Sequence, residues 1–421
     1  MKTLWKVFST QIKSVRVIFG WLCLFKLCFW TTLIVTVKLW ASYDMFYHLK
    51  WPDHETPTLL SHFSAYDGSY YLTLCKNGYQ GGAQTSAFYP LWPLTIKLTS
   101  FLCGGNYLVV GLILANILSI LAWVLFYSIV EKRWGNGTAK GAVVFLIAFP
   151  GSFFYQFLYS ESLFFLLIMG LWWGLENKRY GLAFIFAYLL PLSRPIGVFC
   201  FLPILWHVLT VCPPIWLERR PRLFALLTRS PVVPEGQGED TQKSQGTPLL
   251  KSKDTLKSFR WWLVLTPFFG WLFYFTLMFI WTNNPLDGFA AQRFWGVHSI
   301  SNLWNVPKFF HAWFSPKTWH GYDGSFLDET LFTLVVCSVP ILWKLDKSLL
   351  AWLYVLAILP AMSGMFVSST RYSSVAFPIF IAISFFFKPA SRRWCKFGLM
   401  GAFVILQSIL IWRYVNYQWA N

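Results

Sequence analysis

The sequence predicts an all-α polytopic membrane protein. Of its 421 residues, 56% are hydrophobic, 20% are aromatic and only 12% are charged, and the mean hydropathy is +0.50. Soluble domains contain about 45–50% apolar and about 25% charged residues, so the polar residues are too few to cover a soluble protein of this size. The composition therefore excludes a soluble enzyme, a disordered chain and a secreted disulfide scaffold.

Basic residues exceed acidic residues by 18. The segments predicted to face the inside hold 24 of the 35 basic residues and 8 of the 17 acidic residues. These segments are 1–16, 131–140, 176–180, 213–260, 344–347 and 388–396. Basic residues concentrated on inner loops follow the positive-inside rule. The basic excess is therefore a signal of membrane topology, and no nucleic acid is needed as a partner to explain it.

The N-terminal module, residues 1–212, opens with a basic segment of helical periodicity, 1–16, which predicts a helix on the inner membrane surface. The apolar stretch 17–40 is long enough to be the first span. Residues 41–105 are mixed in polarity, and Pro90 and Pro93 interrupt their one semi-apolar piece. Because two prolines disfavour an unbroken spanning helix, this region is predicted to be an outer loop with interfacial helices.

The remaining spans follow from further apolar stretches. Residues 213–260 are polar and rich in Pro, Gly, Gln and Ser, so they are predicted to be a disordered cytosolic loop. The C-terminal module, 261–421, follows, with a large outer loop at 283–329. Together the two modules give about 11 transmembrane helices. After the first span these are 107–130, 141–155, 162–175, 181–192, 196–211, 261–281, 331–343, 349–365, 372–387 and 397–415.

Asp67 is a candidate general base. It lies among tyrosines in the predicted outer loop, just above the membrane, where a lone carboxylate suits removal of a proton from a hydroxyl. The alternative is a structural role, because Asp-Gly-Ser is also a turn sequence. The same tetrapeptide, Tyr-Asp-Gly-Ser, recurs at 322–325, where it is interpreted as a turn before a span. The alternative is a second carboxylate of the same site.

Three further charged residues lie at the predicted outer ends of spans. Arg194 and Arg371 are unexpected there under the positive-inside rule, and a guanidinium offers a planar fork to a phosphate. Snorkelling to outer lipid headgroups is the alternative for both. Glu161 would be costly facing lipid, so it is expected to face a wet cavity or the protein interior. The alternative for Glu161 is a carboxylate at a helix start.

The second outer loop, 283–329, contains Gln292, Arg293, Trp295 and His298. Its tryptophans suit either an interfacial belt or a groove for a sugar or lipid. The histidines of the chain show no metal-ligand spacing, so no metal and no cofactor is expected. No phosphate-binding glycine loop or nucleophile elbow is present either.

Short motifs in a fixed order give a family resemblance. Asp67 with Tyr70-Tyr71, then Asn77-Gly78-Tyr79, then Phe88-Tyr89-Pro90-Leu91-Trp92-Pro93, resembles the first lumenal loop of the PIG-V family. That family comprises the transferases that add the second mannose of the GPI anchor, together with bacterial relatives. The resemblance continues at Tyr159-Ser160-Glu161, Ser193-Arg194-Pro195, Pro285-Leu286, Ala291-Gln292-Arg293, Trp295-Gly296 and Arg371-Tyr372.

The resemblance implies a GT-C glycosyltransferase fold and a polyprenyl-phosphate sugar as donor, typically dolichyl-phosphate mannose. It implies that the acidic residue of the first loop, Asp67, is the catalytic base. Residues in or near the matching motifs are then expected to bind substrate. These are Tyr70, Tyr71, Tyr89, Glu161, Arg194, Gln292, Arg293, Trp295, His298, Arg371 and Tyr372.

The expected function is therefore an inverting membrane mannosyltransferase that acts on a lipid-linked glycan at the outer or lumenal side. Expected partners are membrane lipid, the donor, the acceptor and a small membrane subunit. The membrane would be the endoplasmic reticulum in a eukaryote and the inner membrane in a bacterium. A transporter or lipid flippase that uses intramembrane charges is the main alternative. A non-catalytic assembly subunit that docks through the inner loop is a third hypothesis.

Overall fold

The computed structural model describes an assembly of helices. It describes residues 2–43, 50–52, 55–211, 213, 220, 254–295, 306–315, 318–321, 325–362, 366 and 368–420, with backbone alone for 2–12, 254–259 and 295. In order, the α-helices are α1 (Lys2–Trp40), α2 (Asp67–Asn77), α3 (Leu91–Leu102), α4 (Tyr107–Trp134), α5 (Asn136–Ala148), α6 (Glu161–Glu176), α7 (Tyr180–Ser193), α8 (Phe201–Val211), α9 (Asp254–Thr282), α10 (Asp287–Ala290), α11 (Val306–Trp313), α12 (Phe326–Leu345), α13 (Ser348–Ala361), α14 (Ser369–Ser373), α15 (Phe377–Phe386) and α16 (Arg393–Val415).

The described part of the chain contains five helices long and apolar enough to cross a membrane. They are Lys13–Trp40, Tyr107–Trp134, Arg260–Thr282, Phe326–Leu345 and Ala390–Val415. Shorter apolar helices, among them α5, α7 and α15, lie between the long ones. An all-helical membrane protein is therefore confirmed, whereas the count of 11 spans stays a prediction.

The N-terminal end differs from the prediction in one respect. The predicted surface helix 1–16 and the first span form one continuous helix, α1. Residues 1–40 contain no proline that would end a helix at the predicted boundary between Arg16 and Val17.

The first outer loop contains the expected short helices. α2 and α3 are joined by a turn of 3₁₀-helix, Gln84–Ala87. Pro90 lies at the N-cap of α3 and Pro93 in its first turn, where a missing N–H leaves no intrahelical bond unmade. The prolines therefore start this helix, which has 12 residues and is too short to cross a bilayer.

Two predicted boundaries are corrected. Residues 254–260, the end of the predicted disordered loop, are helical and begin α9; residues 214–219 and 221–253 of that loop lie outside the described residues. α12 begins at Phe326, before the predicted start at 331, because the side chain of Ser325 accepts a hydrogen bond from the N–H of Asp328 and caps the helix.

The predicted span 141–155 is also interrupted. α5 ends at Ala148, and Pro150 starts a 3₁₀-helix, Pro150–Tyr155. Because non-helical backbone inside a membrane protein must find partners within the protein, side chains supply them here. Gln407 donates from Nε2 to the carbonyls of Ile147 and Phe149, at 3.0 and 2.9 Å.

The segment 149–160 runs through the core and leads directly into α6. The side chains of Phe149, Phe153 and Phe157 are fully buried in it. Tyr414 of α16 stacks on Phe157, with ring centroids 4.4 Å apart, and its hydroxyl donates to the carbonyl of Ala65 at 3.2 Å. The core thus holds the start of α6 close to the start of α2.

Candidate active site

Four charged side chains from distant parts of the chain meet in one cluster. Asp67 begins α2, Glu161 begins α6, Arg194 follows α7, and Arg371 lies in α14. The Arg371 guanidinium donates from Nη1 to Asp67 and from Nε to Glu161. Arg194 donates from Nη2 to the same Glu161 Oε1 at 2.5 Å. We refer to Asp67, Glu161, Arg194 and Arg371 as the charge cluster.

The backbone before Asp67 is strained. Tyr66 has a φ of 53°, a conformation that costs a non-glycine residue free energy unless its surroundings impose it. The Tyr66 hydroxyl donates to the carbonyl of Tyr417 at 2.8 Å, which fixes the side chain. A Cβ on Gly68 would lie 3.3 Å from Cβ of Leu158, so α2 approaches the core closely at this point. These contacts hold Asp67 at the first position of its helix.

Glu161 is the buried centre of the charge cluster. Its side chain has no exposed surface, and both arginines bond to its Oε1. No described residue donates to its Oε2, which is also buried. A buried carboxylate is stable when opposite charge and hydrogen bonds replace the water that it has lost. Two guanidinium groups meet that requirement here.

Aromatic rings and hydroxyls surround the two arginines. The guanidinium carbon of Arg371 lies 4.5 Å from the ring centroid of Tyr159, and that of Arg194 lies 5.4 Å from the ring centroid of Tyr372. Such cation–π contacts are favourable where water is excluded. Arg194 also donates from Nε to Ser160 Oγ at 3.0 Å.

Burial and neighbouring charges shift the pKa of two groups in this region, Tyr71 and Arg371. Burial, with Asp67 nearby, raises the pKa of the Tyr71 hydroxyl, which therefore stays protonated and donates to Ser160 Oγ at 3.2 Å. Burial acts to lower the pKa of Arg371, but Asp67 and Glu161 outweigh burial and hold that pKa above its ordinary value. Arg371 is therefore a permanent cation.

The charge cluster is balanced, and one carboxylate faces outward. Two cations and two anions cancel. The Asp67 side chain is 16% exposed, against 6% for Arg371, 8% for Arg194 and 0% for Glu161. Asp67 is thus the member that an arriving substrate can reach most easily. A carboxylate held in place by an arginine, at the edge of a site that excludes water, can accept a proton from a bound hydroxyl.

The structure brings together six of the predicted site residues: the charge cluster, Tyr71 and Tyr372. Two others pack against aromatic neighbours. The ring of Tyr70 stacks on Phe88, with centroids 5.1 Å apart, and that of Tyr89 stacks on Tyr274 at 4.3 Å. Tyr89 lies in a separate apolar group with Leu192 and Met278. These contacts give Tyr70 and Tyr89 packing roles, and their predicted contact with substrate stays a prediction.

The second outer loop packs against the first. Asp287 accepts from the N–H of Gly82 with Oδ1 and Oδ2, at 3.0 and 3.3 Å, and Gln292 donates from Nε2 to the carbonyl of Ala87 at 3.5 Å. Arg293 is exposed, and its guanidinium lies over the neighbouring ring of Phe294. His298 and the side chain of Trp295 lie outside the described residues.

Sequence reasoning missed a set of residues next to Arg371. Asp328 and His320 are buried, and Asp328 accepts from the N–H of Thr370. In the sequence, Ser325 followed by Asp328 indicates an ordinary helix cap, which conceals any contact with a distant segment. No group of three or more His, Cys, Asp or Glu side chains suited to a metal ion occurs within the described ranges.

A family model described as Mannosyltransferase (PIG-V) matches residues 53–213. The match confirms the predicted resemblance and includes Asp67, Glu161 and Arg194 of the charge cluster, whereas Arg371 lies outside it. The match supports the prediction that the protein is a glycosyltransferase, and the apolar helices support the prediction that it is an integral membrane protein.

Two solved structures similar to this chain are of an oligosaccharyltransferase from Archaeoglobus fulgidus. One of them is tethered to an acceptor peptide. It is 13% identical to this chain in sequence, with a TM-score of 0.43, and the match covers 98% of this chain and 55% of that one. The other, named AglB, is in complex with an inhibitory peptide and a dolichol-phosphate. It is 12% identical to this chain in sequence, with a TM-score of 0.47, and the match covers 98% of this chain and 56% of that one. This chain thus spans just over half the length of each. No curated protein matched the sequence.

Proposed function

Because residues 53–213 match the PIG-V mannosyltransferases, we propose that the protein is a membrane mannosyltransferase with Asp67 as its general base. It moves a mannose from a polyprenyl phosphate to a hydroxyl of a lipid-linked glycan, with a GT-C fold and on the outer or lumenal side. One observation carries this assignment. Asp67 is the exposed edge of an otherwise buried charge cluster.

The reaction is a single displacement. The acceptor oxygen bonds to the anomeric carbon as the bond from that carbon to the phosphate oxygen breaks. The hydroxyl proton passes to Asp67, and polyprenyl phosphate leaves with the electron pair. Attack from the face opposite the phosphate inverts the anomeric centre. Holding both reactants in this geometry supplies much of the rate enhancement in such reactions.

The contacts of Arg371 and Arg293 favour different roles for these two arginines. In a single displacement the base and the leaving phosphate lie on opposite sides of the anomeric carbon. Arg371 bonds directly to Asp67 and so lies on the base side, where it orients the carboxylate. Arg293 is exposed and lies on a segment that packs against the first outer loop, which supports its role as the cation for the phosphate.

The assignment of the base is tested by Asp67→Asn. The assay uses purified protein in lipid nanodiscs, dolichyl-phosphate mannose labelled in the sugar, and a synthetic GPI precursor carrying one mannose. We expect transfer to fall by at least about 100-fold, the contribution typical of a general base. Asn keeps the shape and one hydrogen-bond acceptor, so the level of folded protein should not change.

Asp287→Asn is the matched control, because Asp287 is a buried outer-loop carboxylate outside the charge cluster. It should transfer mannose at the wild-type rate. Undiminished transfer by the Asp67→Asn protein would refute the assignment of the base. Lipid movement across the bilayer without any sugar transfer by the wild-type protein would instead favour the transporter or flippase.

A further inference from the structure

We propose that Asp328 is a positioning residue for the active site: its carboxylate caps the short helix that carries Arg371 and so fixes the cation that orients Asp67. The inference rests on the proposed function, since it concerns the same site. The cap joins α12 to α14 through Asp328 and Thr370, which are 42 positions apart along the chain.

The helix α14 lacks a cap of its own. Its N-cap residue, Ser368, makes no side-chain hydrogen bond to the helix and lies in the left-handed region, with a φ of 58°. The first N–H groups of a helix have no partner within the helix, and a buried one must find a partner elsewhere. Asp328 Oδ1 accepts from the N–H of Thr370, which is fully buried. Asp328 thus supplies the cap that the segment around Ser368 does not.

Asp328 is itself held on two sides. Its own N–H donates to Ser325 Oγ at 3.1 Å, and its Oδ2 lies 3.3 Å from His320 Nδ1. The same nitrogen of His320 lies 3.0 Å from Ser325 Oγ. All three side chains are buried. The carboxylate therefore has a fixed direction, as a group must have if it is to position another.

The segment 149–160 also packs against the backbone of α14. A Cβ on Gly151 would lie 2.1 Å from the carbonyl oxygen of Thr370 and 3.2 Å from Cα of Arg371. The Tyr155 hydroxyl donates to the carbonyl of Ser374 at 3.1 Å, just beyond the helix. With Gly151 in close contact and Asp328 bonded to the Thr370 N–H, the backbone of Arg371 has little freedom to move.

Loss of the Asp328 cap should slow the chemical step of the proposed reaction without weakening donor binding. Loss of the cap releases the first turn of α14, and the Arg371 guanidinium loses its fixed position between Asp67 and Glu161. The chemical step then slows, because a misplacement of about 1 Å in a catalytic group can reduce the rate by about 100-fold. Donor binding is unaffected, because the phosphate is assigned to Arg293 and not to Arg371. A change in kcat without a change in the donor KM is the expected signature.

The test compares Asp328→Ala with Asp328→Asn in purified protein in lipid nanodiscs. Asn keeps an oxygen that can accept from the Thr370 N–H, whereas Ala does not. We expect Asp328→Ala to lower kcat by about 10- to 100-fold at an unchanged donor KM, and Asp328→Asn to retain most of the activity. Glu329→Gln, the adjacent carboxylate on the same turn, is the matched control and should behave as wild type.

Hydrogen exchange gives a readout that does not depend on activity. In Asp328→Ala, peptides covering 366–376 should exchange faster than in wild type, and Asp328→Asn should restore their protection. The proposal would be overturned if peptides covering 366–376 exchanged at the wild-type rate in Asp328→Ala. It would also be overturned if the Asn and Ala variants lost kcat equally. Absence of mannose transfer by the wild-type protein would refute the proposed function, and the exchange experiment would still decide whether Asp328 orders α14.

Discussion

At the residue scale, Arg371 connects the two carboxylates of the charge cluster. Its guanidinium joins two carboxylates that lie 304 and 210 positions away in the sequence. Each charged residue of the cluster could be predicted as a candidate, because charges at the outer ends of apolar spans are rare. Their pairing could not be predicted, because several partners of opposite charge were possible for each. The ion pair with Asp67 therefore supports the role proposed for Arg371, orientation of that carboxylate, over contact with phosphate.

At the residue scale we predict that Arg293→Ala raises the donor KM and leaves kcat nearly unchanged. Arg293 is exposed and makes no ion pair with any described residue, so its charge remains available to a phosphate. Losing such a contact should weaken donor binding by about 10-fold, equivalent to about 1.4 kcal/mol. Steady-state kinetics with varied dolichyl-phosphate mannose measure this effect.

Arg392→Ala is a suitable control for that experiment, because Arg392 is another exposed arginine and lies on a predicted inner segment. Its donor KM should equal that of wild type. An unchanged donor KM in Arg293→Ala would show that another group holds the phosphate.

At the element scale, the segment 149–160 shows where sequence patterns lose their predictive power. Its first residues, 149–155, were predicted to be the end of the span 141–155, but α-helical hydrogen bonding stops before Pro150 and the chain continues as 3₁₀-helix. Apolar periodicity cannot distinguish a short helix from a buried irregular segment. The polar partners that make such a segment stable come from other helices, and no local pattern points to them.

Lys26 of α1 is one of those partners. It is buried within an apolar helix and donates to Ser119 Oγ at 2.7 Å and to Gln156 Oε1, with the ring centroid of Trp123 4.5 Å away. Asn116 donates from Nδ2 to the carbonyl of Gln156 at 3.0 Å. The lysine thereby ties α1 and α4 to the segment that leads to Glu161.

We therefore predict that Lys26→Met lowers the stability of the folded protein. Methionine fills a similar volume but leaves the buried Gln156 Oε1 without its donor, at a cost of about 1–3 kcal/mol. Ser119 Oγ loses the same donor but keeps its hydrogen bond to the carbonyl of Asn116. Thermal unfolding in detergent should show a lower midpoint than for wild type. Lys38→Met, an exposed lysine on the same helix, should unfold at the wild-type temperature; equal midpoints for the two variants would contradict the prediction.

At the scale of the whole molecule, the contacts agree with the topology predicted from charge. Arg133 pairs with Glu176 at 2.6 Å and with Asp346, so three predicted inner segments meet in one place. The residues predicted to be outside meet in the charge cluster. The loops assigned to one side from their charge thus lie together, while the side of the membrane that each group faces stays a prediction. Charge distribution could not predict helix lengths, because protein-protein contacts allow spans shorter than about 20 residues.

For the whole enzyme we predict that removal of divalent ions leaves mannose transfer unchanged. The proposed reaction uses guanidinium charge to stabilise the leaving phosphate, a task for which metal-dependent transferases use a bound cation. The measurement is transfer of labelled mannose in nanodiscs after dialysis against EDTA. A loss of activity that added Mg²⁺ or Mn²⁺ restores would refute this expectation.

The balance of charge in the cluster has an electrical consequence. A group of charges feels a membrane potential in proportion to its net charge, at about 2.3 kcal/mol per elementary charge for each 100 mV. Asp67, Glu161, Arg194 and Arg371 sum to zero, so a shared movement of the cluster along the field does no net electrical work. An anionic donor phosphate does carry net charge. At this site we therefore expect a voltage dependence when the donor binds or its phosphate leaves, while movement of the empty charge cluster remains insensitive to voltage.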